Sequence, residues 1–297
     1  RRGRNCHARF MCGIVAYIGP SDALPVLLDG LRRLEYRGYD SAGLALLNPG
    51  GIEVRKAVGR IANLASEIEK FPIRGQAGIS HTRWATHGAV TRDNAHPHAD
   101  QSGKLHLVHN GVIENYQTLR EQLQERGHIF HSQTDTEVLA HLVGEAFDRS
   151  TSRDGAALIE ALRQALRQVI GTYGISVIHA EVPGLIVGAR RGSPLVLGIG
   201  KHEHFLASDV SAIVAHTREV VYLNDYEIVA IQAEGFEIST VSGTGADFQV
   251  SKVEFTAESV DKGKFPHYML KEIHEQPNSV RDAMRGRLSI EEATAKL

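Results

Sequence analysis

The chain has 297 residues, a formal net charge of −2, and 42% hydrophobic against 23% charged residues. That length supports one large domain or two ordinary ones with a full core, and so small a charge gives no pull toward nucleic acid or an anionic membrane. No apolar run approaches the roughly 18 residues of a membrane span, no signal-peptide core follows the Arg-rich start, and Cys6 and Cys12 stand too close to staple a fold, which fits a reducing, cytoplasmic setting.

In chain order, strands are expected at 13–18, 42–48, 52–58, 76–82 and 104–109, each an apolar or β-branched run bounded by Gly, Pro or Asn. A helix is expected over 21–34, where Leu24, Leu27, Leu28 and Leu31 form one stripe; Ser21 is its expected N-cap and Pro25 falls in its first turn. Asn115 can cap a helix carrying Tyr116, Leu119 and Leu123. Thr134 and Glu137 read as a capping box ahead of Val138, Leu139, Leu142 and Val143. A further amphipathic helix spans 154–170. From 173 to 240 short strands follow one another, at 174–180, 185–190, 194–199, 204–207, 227–232 and 235–240, which suggests antiparallel sheet. Strand-rich halves around a helical middle point to an α+β fold, with packed sheets and helices on the outer faces. Past about 250 the chain turns polar and looks helical, with too few apolar residues for a core, and reads as a connector.

Four places carry candidate chemistry. Cys12 follows Met11 at the start of an apolar run; it is either a small buried hydrophobe or, with the preceding residue removed, a nucleophile beside its own α-amine. "SHTRWATHG" at 80–88 holds His81, Arg83, Trp84, Thr86 and His87. Arg83 is a surface charge or a bidentate fork for a carboxylate. The histidines lack metal-ligand spacing, so no metal site is expected. Asn110-Gly111 reads as a hairpin turn, or as a pair of donors for a developing oxyanion. Asp135 complements a helix dipole or holds a ligand ammonium. A phosphate-binding loop, a dinucleotide fingerprint and a serine elbow are all missing from the sequence.

"MCGIVAYIG", "LRRLEYRGYDSAGLA", "HTRWATHG", "NAHPH", "VHNGVIEN", "TDTEV" and "RRGSPLVLG" together resemble the glutaminase domain of the glutamine–fructose-6-phosphate aminotransferase (isomerising) family, from Met11 to about residue 280. "HYMLKEIHEQP" resembles that family's link to its sugar-isomerase domains. Other class II amidotransferases share Cys-Gly-Ile and an Asn-Gly pair but not "HTRWATHG". The resemblance implies a four-layer αββα N-terminal-nucleophile hydrolase sandwich of two antiparallel sheets. It also implies that Cys12 attacks the side-chain amide of glutamine with its freed α-amine as base. Asn110 and Gly111 would be the oxyanion donors, Arg83 the clamp on the α-carboxylate and Asp135 the partner of the α-ammonium. Thr86 and His87 would be further glutamine contacts, Trp84 would stand at the ammonia-passage side, and Arg37 would support the nucleophile.

The domain is expected over 12–250, with 1–11 as an extension outside the mature domain and 251–297 as the connector. No cofactor is implied. The implied partners are L-glutamine and the sugar-isomerase domains; the family's dimerisation rests largely on those domains, so this piece alone is expected to be monomeric. If the extension stays attached, the alternative is a catalytically silent glutamine-binding module.

Overall fold

The first strand, β1 (Gly13–Ile18), is buried at every position. Both of its faces are covered, so its sequence is an unbroken apolar run rather than an alternation. Ile14, Ala16 and Ile18 face a core between two sheets. On the opposite face, Val15 Cγ1 lies 2.9 Å from where a Cβ on Gly30 would stand, so helix α1 (Ala23–Leu34) lies close against the strand. The stripe Leu27, Leu31 and Leu34 of α1 is fully buried there. The cap of α1 is Asp22, whose carboxylate accepts from the Leu24 N–H at 3.2 Å. Ser21, the expected cap, instead gives its own N–H to the Tyr17 hydroxyl at 3.3 Å.

The chain continues through β2 (Ser41–Asn48), β3 (Gly51–Val58), α2 (Ile61–Lys70), β4 (Ala77–Arg83), β5 (His98–Ala99), β6 (Leu105–Ile113), α3 (Tyr116–Glu125), α4 (Asp135–Asp148) and α5 (Gly155–Leu166). Then come β7 (Gly171–His179), β8 (Ile186–Arg191), β9 (Val196–Ile199), β10 (His204–Ala207), β11 (Glu219–Tyr222), β12 (Glu227–Ile231), β13 (Phe236–Thr240) and β14 (Ser251–Lys252). The computed structural model describes residues 12–37, 39–84 and 88–254, with 265, 269–271, 273–274, 276–277, 288–289 and 294–295, and at 37, 288–289 and 294–295 only the backbone.

One sheet has the order β14-β11-β9-β10-β1-β4-β2-β3 and the other β13-β12-β8-β7-β6-β5. Every strand pairing within them is antiparallel. Ile14, Ile79, Val108, Ile178, Leu197 and Val229 fill the space between the sheets. Helices α1 and α2 lie on the outer face of the first sheet. Helices α3, α4 and α5 bury Leu119, Leu139 and Leu158 with Leu107 and Val177 of the second sheet. The result is the α+β sandwich with αββα layering expected from the sequence.

Residues 255–297 form a second compact unit. Among its described residues 269–271, 273–274 and 276–277 are helical, and β15 (Leu288–Ser289) pairs antiparallel with β16 (Thr294–Ala295). The Phe265 and His274 rings stack at 5.2 Å.

Candidate active site

The alternation that builds the core between the sheets also delivers the site. In a strand every second residue shares a face. On β4 the core face runs Ala77, Ile79, and then His81 and Arg83. On β6, Val108 is followed two residues on by Asn110. Cys12 stands two residues before Ile14 of β1, and the pairing of Gly13 with Thr82 brings it beside the end of β4. At one end of the sandwich the apolar filling therefore gives way to Cys12, His81, Arg83 and Asn110.

The backbone of Trp84 brackets the sulfur. Its N–H donates to Cys12 Sγ at 3.1 Å, and the thiol donates to its carbonyl at 3.5 Å. Trp84 is 41% exposed. Asn110 Nδ2 donates to the Cys12 carbonyl at 3.0 Å, and Asn110 Oδ1 lies 2.9 Å from His81 Nε2. Asn110 and Gly111 stand inside β6, paired with Gly174 and Tyr173 of β7, so the hairpin-turn reading is overturned. The strand continues because Gly111 adopts φ +142°, and a Cβ there would meet the Thr172 carbonyl oxygen at 2.1 Å.

Arg83 is buried, donates to the Ala89 carbonyl at 3.3 Å and has Asp40 Oδ1 at 3.6 Å. Asp135, the first residue of α4, accepts from the Ile113 N–H at 2.8 Å. A second polar chain fixes this wall. His109 Nε2 lies 3.2 Å from the Thr172 carbonyl and must donate to it, and His109 Nδ1 lies 3.1 Å from Thr136 Oγ1. Thr136 Oγ1 in turn lies 2.7 Å from His96 Nε2. Cys12, Arg83, Trp84, His96, His109, Gly111, Thr134, Asp135 and Thr136 all line one pocket of about 20 Å³. That is room for about one water.

Burial dominates the electrostatics. It pushes the Cys12 thiol up, opposed by the Trp84 N–H and the Arg83 guanidinium and reinforced by Asp40. It pushes His81 down to about 3 and His96 well below its ordinary value, so both rings are neutral. A thiol raised in this way is protonated near neutral pH and needs a base to react.

Of the residues expected at the site, Cys12, Arg83, Trp84, Gly111 and Asp135 share this pocket, and Asn110 bonds directly to Cys12. Thr86, His87 and the side chain of Arg37 lie outside the described residues. The sequence reading missed Asp40, His109 and Thr136. The parity of β6 could not have found His109, which lies one step off the core face, but the capping position of Thr134 does point to the helix terminus that carries Thr136.

A far larger cavity, about 780 Å³, lies at the opposite end of β1 between Ile18, Pro20, Leu47, Arg74 and Pro183. Its walls are mostly aliphatic, Pro and Gly. Among the described residues no three His, Cys, Asp or Glu side chains group as metal ligands, and no helix is long and apolar enough to cross a membrane.

Residues 48–240 match the family of the glutamine amidotransferase domain. Over 287 residues the chain is 50% identical to a glutamine–fructose-6-phosphate aminotransferase (isomerising) of Thermus thermophilus, covering 97% of this chain and 46% of that protein. The enzyme of the same name from Chlorobaculum tepidum is 47% identical over 291 residues, with 97% and 47% covered. The chain thus spans about half the length of the curated relatives it matches. Among solved structures, the glutamine phosphoribosylpyrophosphate amidotransferase of B. subtilis, complexed with ADP and GMP, superposes with TM-score 0.64 at 27% identity, covering 77% of this chain and 49% of that one. A structure described as the allosteric regulatory enzyme of purine biosynthesis gives TM-score 0.66 at the same identity and the same coverage. With a family match over well more than half of its length and relatives at this identity, the chain belongs to the glutamine amidotransferase family.

Proposed function

We propose that this chain hydrolyses the side-chain amide of glutamine to glutamate and ammonia, with Cys12 as nucleophile. The observation that carries this reading is the shared pocket of a thiol, a buried guanidinium and a buried carboxylate, Cys12, Arg83 and Asp135. Opposite charges on the walls of one pocket suit the two ends of an α-amino acid, with the carboxylate on Arg83 and the ammonium on Asp135. Thr86 and His87 add contacts to the same ligand, and Arg37 supports the nucleophile.

The α-amine of Cys12, exposed once residues 1–11 are removed, has an ordinary pKa near ~8 and takes the thiol proton, through water. The thiolate attacks the side-chain carbonyl carbon of glutamine. An amide NH2 carries two protons; Asn110 commits one to the Cys12 carbonyl and offers the other, with the Gly111 N–H, to the oxyanion. The ammonium returns its proton to the leaving nitrogen, and ammonia departs. Water then cleaves the γ-glutamyl thioester, releasing glutamate and restoring the thiol.

In the longer proteins of this kind, the ammonia passes on the Trp84 side to a sugar-isomerase half that converts fructose-6-phosphate to glucosamine-6-phosphate. The connector to that half, read from the sequence as 251–297 after a domain over 12–250, follows β14 (Ser251–Lys252), which still pairs with β11 in the first sheet.

A second reading, a silent glutamine-binding module, is favoured by the burial that raises the thiol, because a peptide nitrogen at Cys12 cannot act as base. Glutamate release measured beside intact mass decides between the two. Turnover in a species starting at Cys12, abolished by Cys12→Ala, supports the hydrolase. Glutamine binding without turnover in that same species overturns it.

A further inference from the structure

We propose that His81 is a positioning residue that locks the side-chain amide of Asn110 in its donor orientation toward the nucleophile. The inference rests on the reading of Asn110 as an oxyanion donor and adds to it a residue from the opposite sheet.

The proton assignments follow from one fixed acceptor. The Cys12 carbonyl can only accept, so the Asn110 atom 3.0 Å from it is the NH2. Asn110 Oδ1 therefore faces His81, and a carbonyl oxygen can only accept there too. His81 Nε2, at 2.9 Å, must carry the hydrogen. His81 is fully buried, and a neutral imidazole carries one N–H, which at Nε2 goes to Asn110. The burial that pushes His81 down to about 3 keeps this ring neutral through the working pH range. The His96 ring lies against it with centroids 4.1 Å apart and limits its movement.

The bond also crosses the sandwich. His81 belongs to β4 of the eight-stranded sheet and Asn110 to β6 of the six-stranded one. Turning the Asn110 amide over would set donor against donor at His81 and acceptor against acceptor at the Cys12 carbonyl, and it would aim an acceptor where negative charge develops. Without His81, half of that opposition disappears. The orientation of Asn110 would then depend on the Cys12 carbonyl alone.

The test is steady-state glutamine hydrolysis by the chain carrying His81→Phe, His81→Gln, Asn110→Ala or His81→Phe with Asn110→Ala. Phe keeps the ring volume and removes the donor; Gln keeps a donor. His81→Phe is expected to lower kcat about tenfold to a hundredfold, with KM for glutamine within about twofold, because Arg83 and Asp135 remain to bind the amino-acid head. His81→Gln is expected to recover most of kcat. Asn110→Ala is expected to lose on the order of 10²–10³ in kcat, the worth of one oxyanion donor. The double variant is expected to match Asn110→Ala, since His81 acts only through that amide. If Asn110→Ala is defective while His81→Phe turns over at the wild-type kcat, or if the two losses multiply, His81 has no such role. An unchanged kcat in Asn110→Ala removes the oxyanion reading and this proposal with it. If His81→Phe fails to fold, the proposal stands or falls on His81→Gln, and a Gln variant without wild-type-like kcat overturns it.

Discussion

Gly111 shows how much a single residue decides at this site. Its φ of +142° is a conformation that side-chain-bearing residues rarely adopt, and an added Cβ would stand 2.1 Å from the Thr172 carbonyl oxygen and 2.9 Å from His109 Nε2. The carbonyl belongs to the neighbouring strand and cannot yield cheaply. Gly111→Ala is therefore expected to cost about 2 kcal/mol or more in stability, as strained backbone and overpacking together do, and to lose most turnover by displacing the backbone between Asn110 and the pocket. Thermal melting beside glutamate release checks both, and a variant with wild-type melting and turnover would show that β6 tolerates a side chain there. The same dipeptide marks where local sequence misleads. Asn-Gly is a strong hairpin signal, yet here the pair continues a strand, because its neighbour β7 runs alongside from Gly171 to His179. Cys12, Arg83 and Asp135 were legible through the motifs around them. Asp40, His109 and Thr136 were not, since their roles come from contacts across strands and a helix terminus that no local pattern encodes.

At the scale of elements, α1, α3, α4 and α5 were legible in the sequence and α2 was not. Helix α1 carries Leu27, Leu31 and Leu34 at helical spacing, and α4 begins after a capping threonine, so both were visible. Helix α2 carries an apolar stripe, Ile61, Leu64 and Ile68, but follows Arg60 rather than a capping residue type, and β5 spans only two residues. The start of α4 also departs from the expected capping box. Thr134 Oγ1 accepts from the Glu137 N–H at 3.3 Å, but the Glu137 carboxylate does not reach back to Thr134. It takes the His131 and Ser132 N–H groups, each at 2.7 Å, and the Ser132 hydroxyl at 2.7 Å. The helix start thus ties down the loop before it, and Thr134 further bonds His98 Nε2 at 3.1 Å and Ser132 Oγ at 3.0 Å. Thr134→Ala is expected to destabilise by about 1–2 kcal/mol, the upper range for a lost cap, while Thr134→Ser keeps most of it. Denaturant midpoints of the two variants measure the difference. Equal midpoints would mean that the cap contributes nothing and that the dipole and the Glu137 contacts alone hold the helix start.

Across the whole molecule, the telling feature is where the histidines are. Sixteen occur in the chain, and His81, His96, His98, His106, His109, His141, His179 and His204 are buried. Burial, the leading cause each time, lowers His81 to about 3, His106 to about 4 and His141 to about 4 from an ordinary 6.5, and holds His96 and His98 well below it. These rings are neutral in the fold and become protonated in the unfolded chain once the pH drops through 6.5. Between 6.5 and their lowered values the unfolded chain holds more protons, so stability falls as pH falls. On going from pH 8 to pH 5, each such ring costs on the order of 2 kcal/mol, so His81, His106 and His141 together cost several. A domain typically has only about 5–15 kcal/mol in total. The fold is therefore expected to lose a large part of its stability by about pH 5, above the range in which ordinary carboxylates titrate. Denaturant midpoints at pH 8, 7, 6 and 5 check this. They should hold nearly level from 8 to 7 and then fall increasingly steeply, and a His106→Gln variant should fall less steeply by the contribution of one ring. Midpoints that stay level from pH 8 to pH 5 would mean that these histidines find proton acceptors when charged, and that the polar filling at one end of the sandwich is far less dry than its burial indicates.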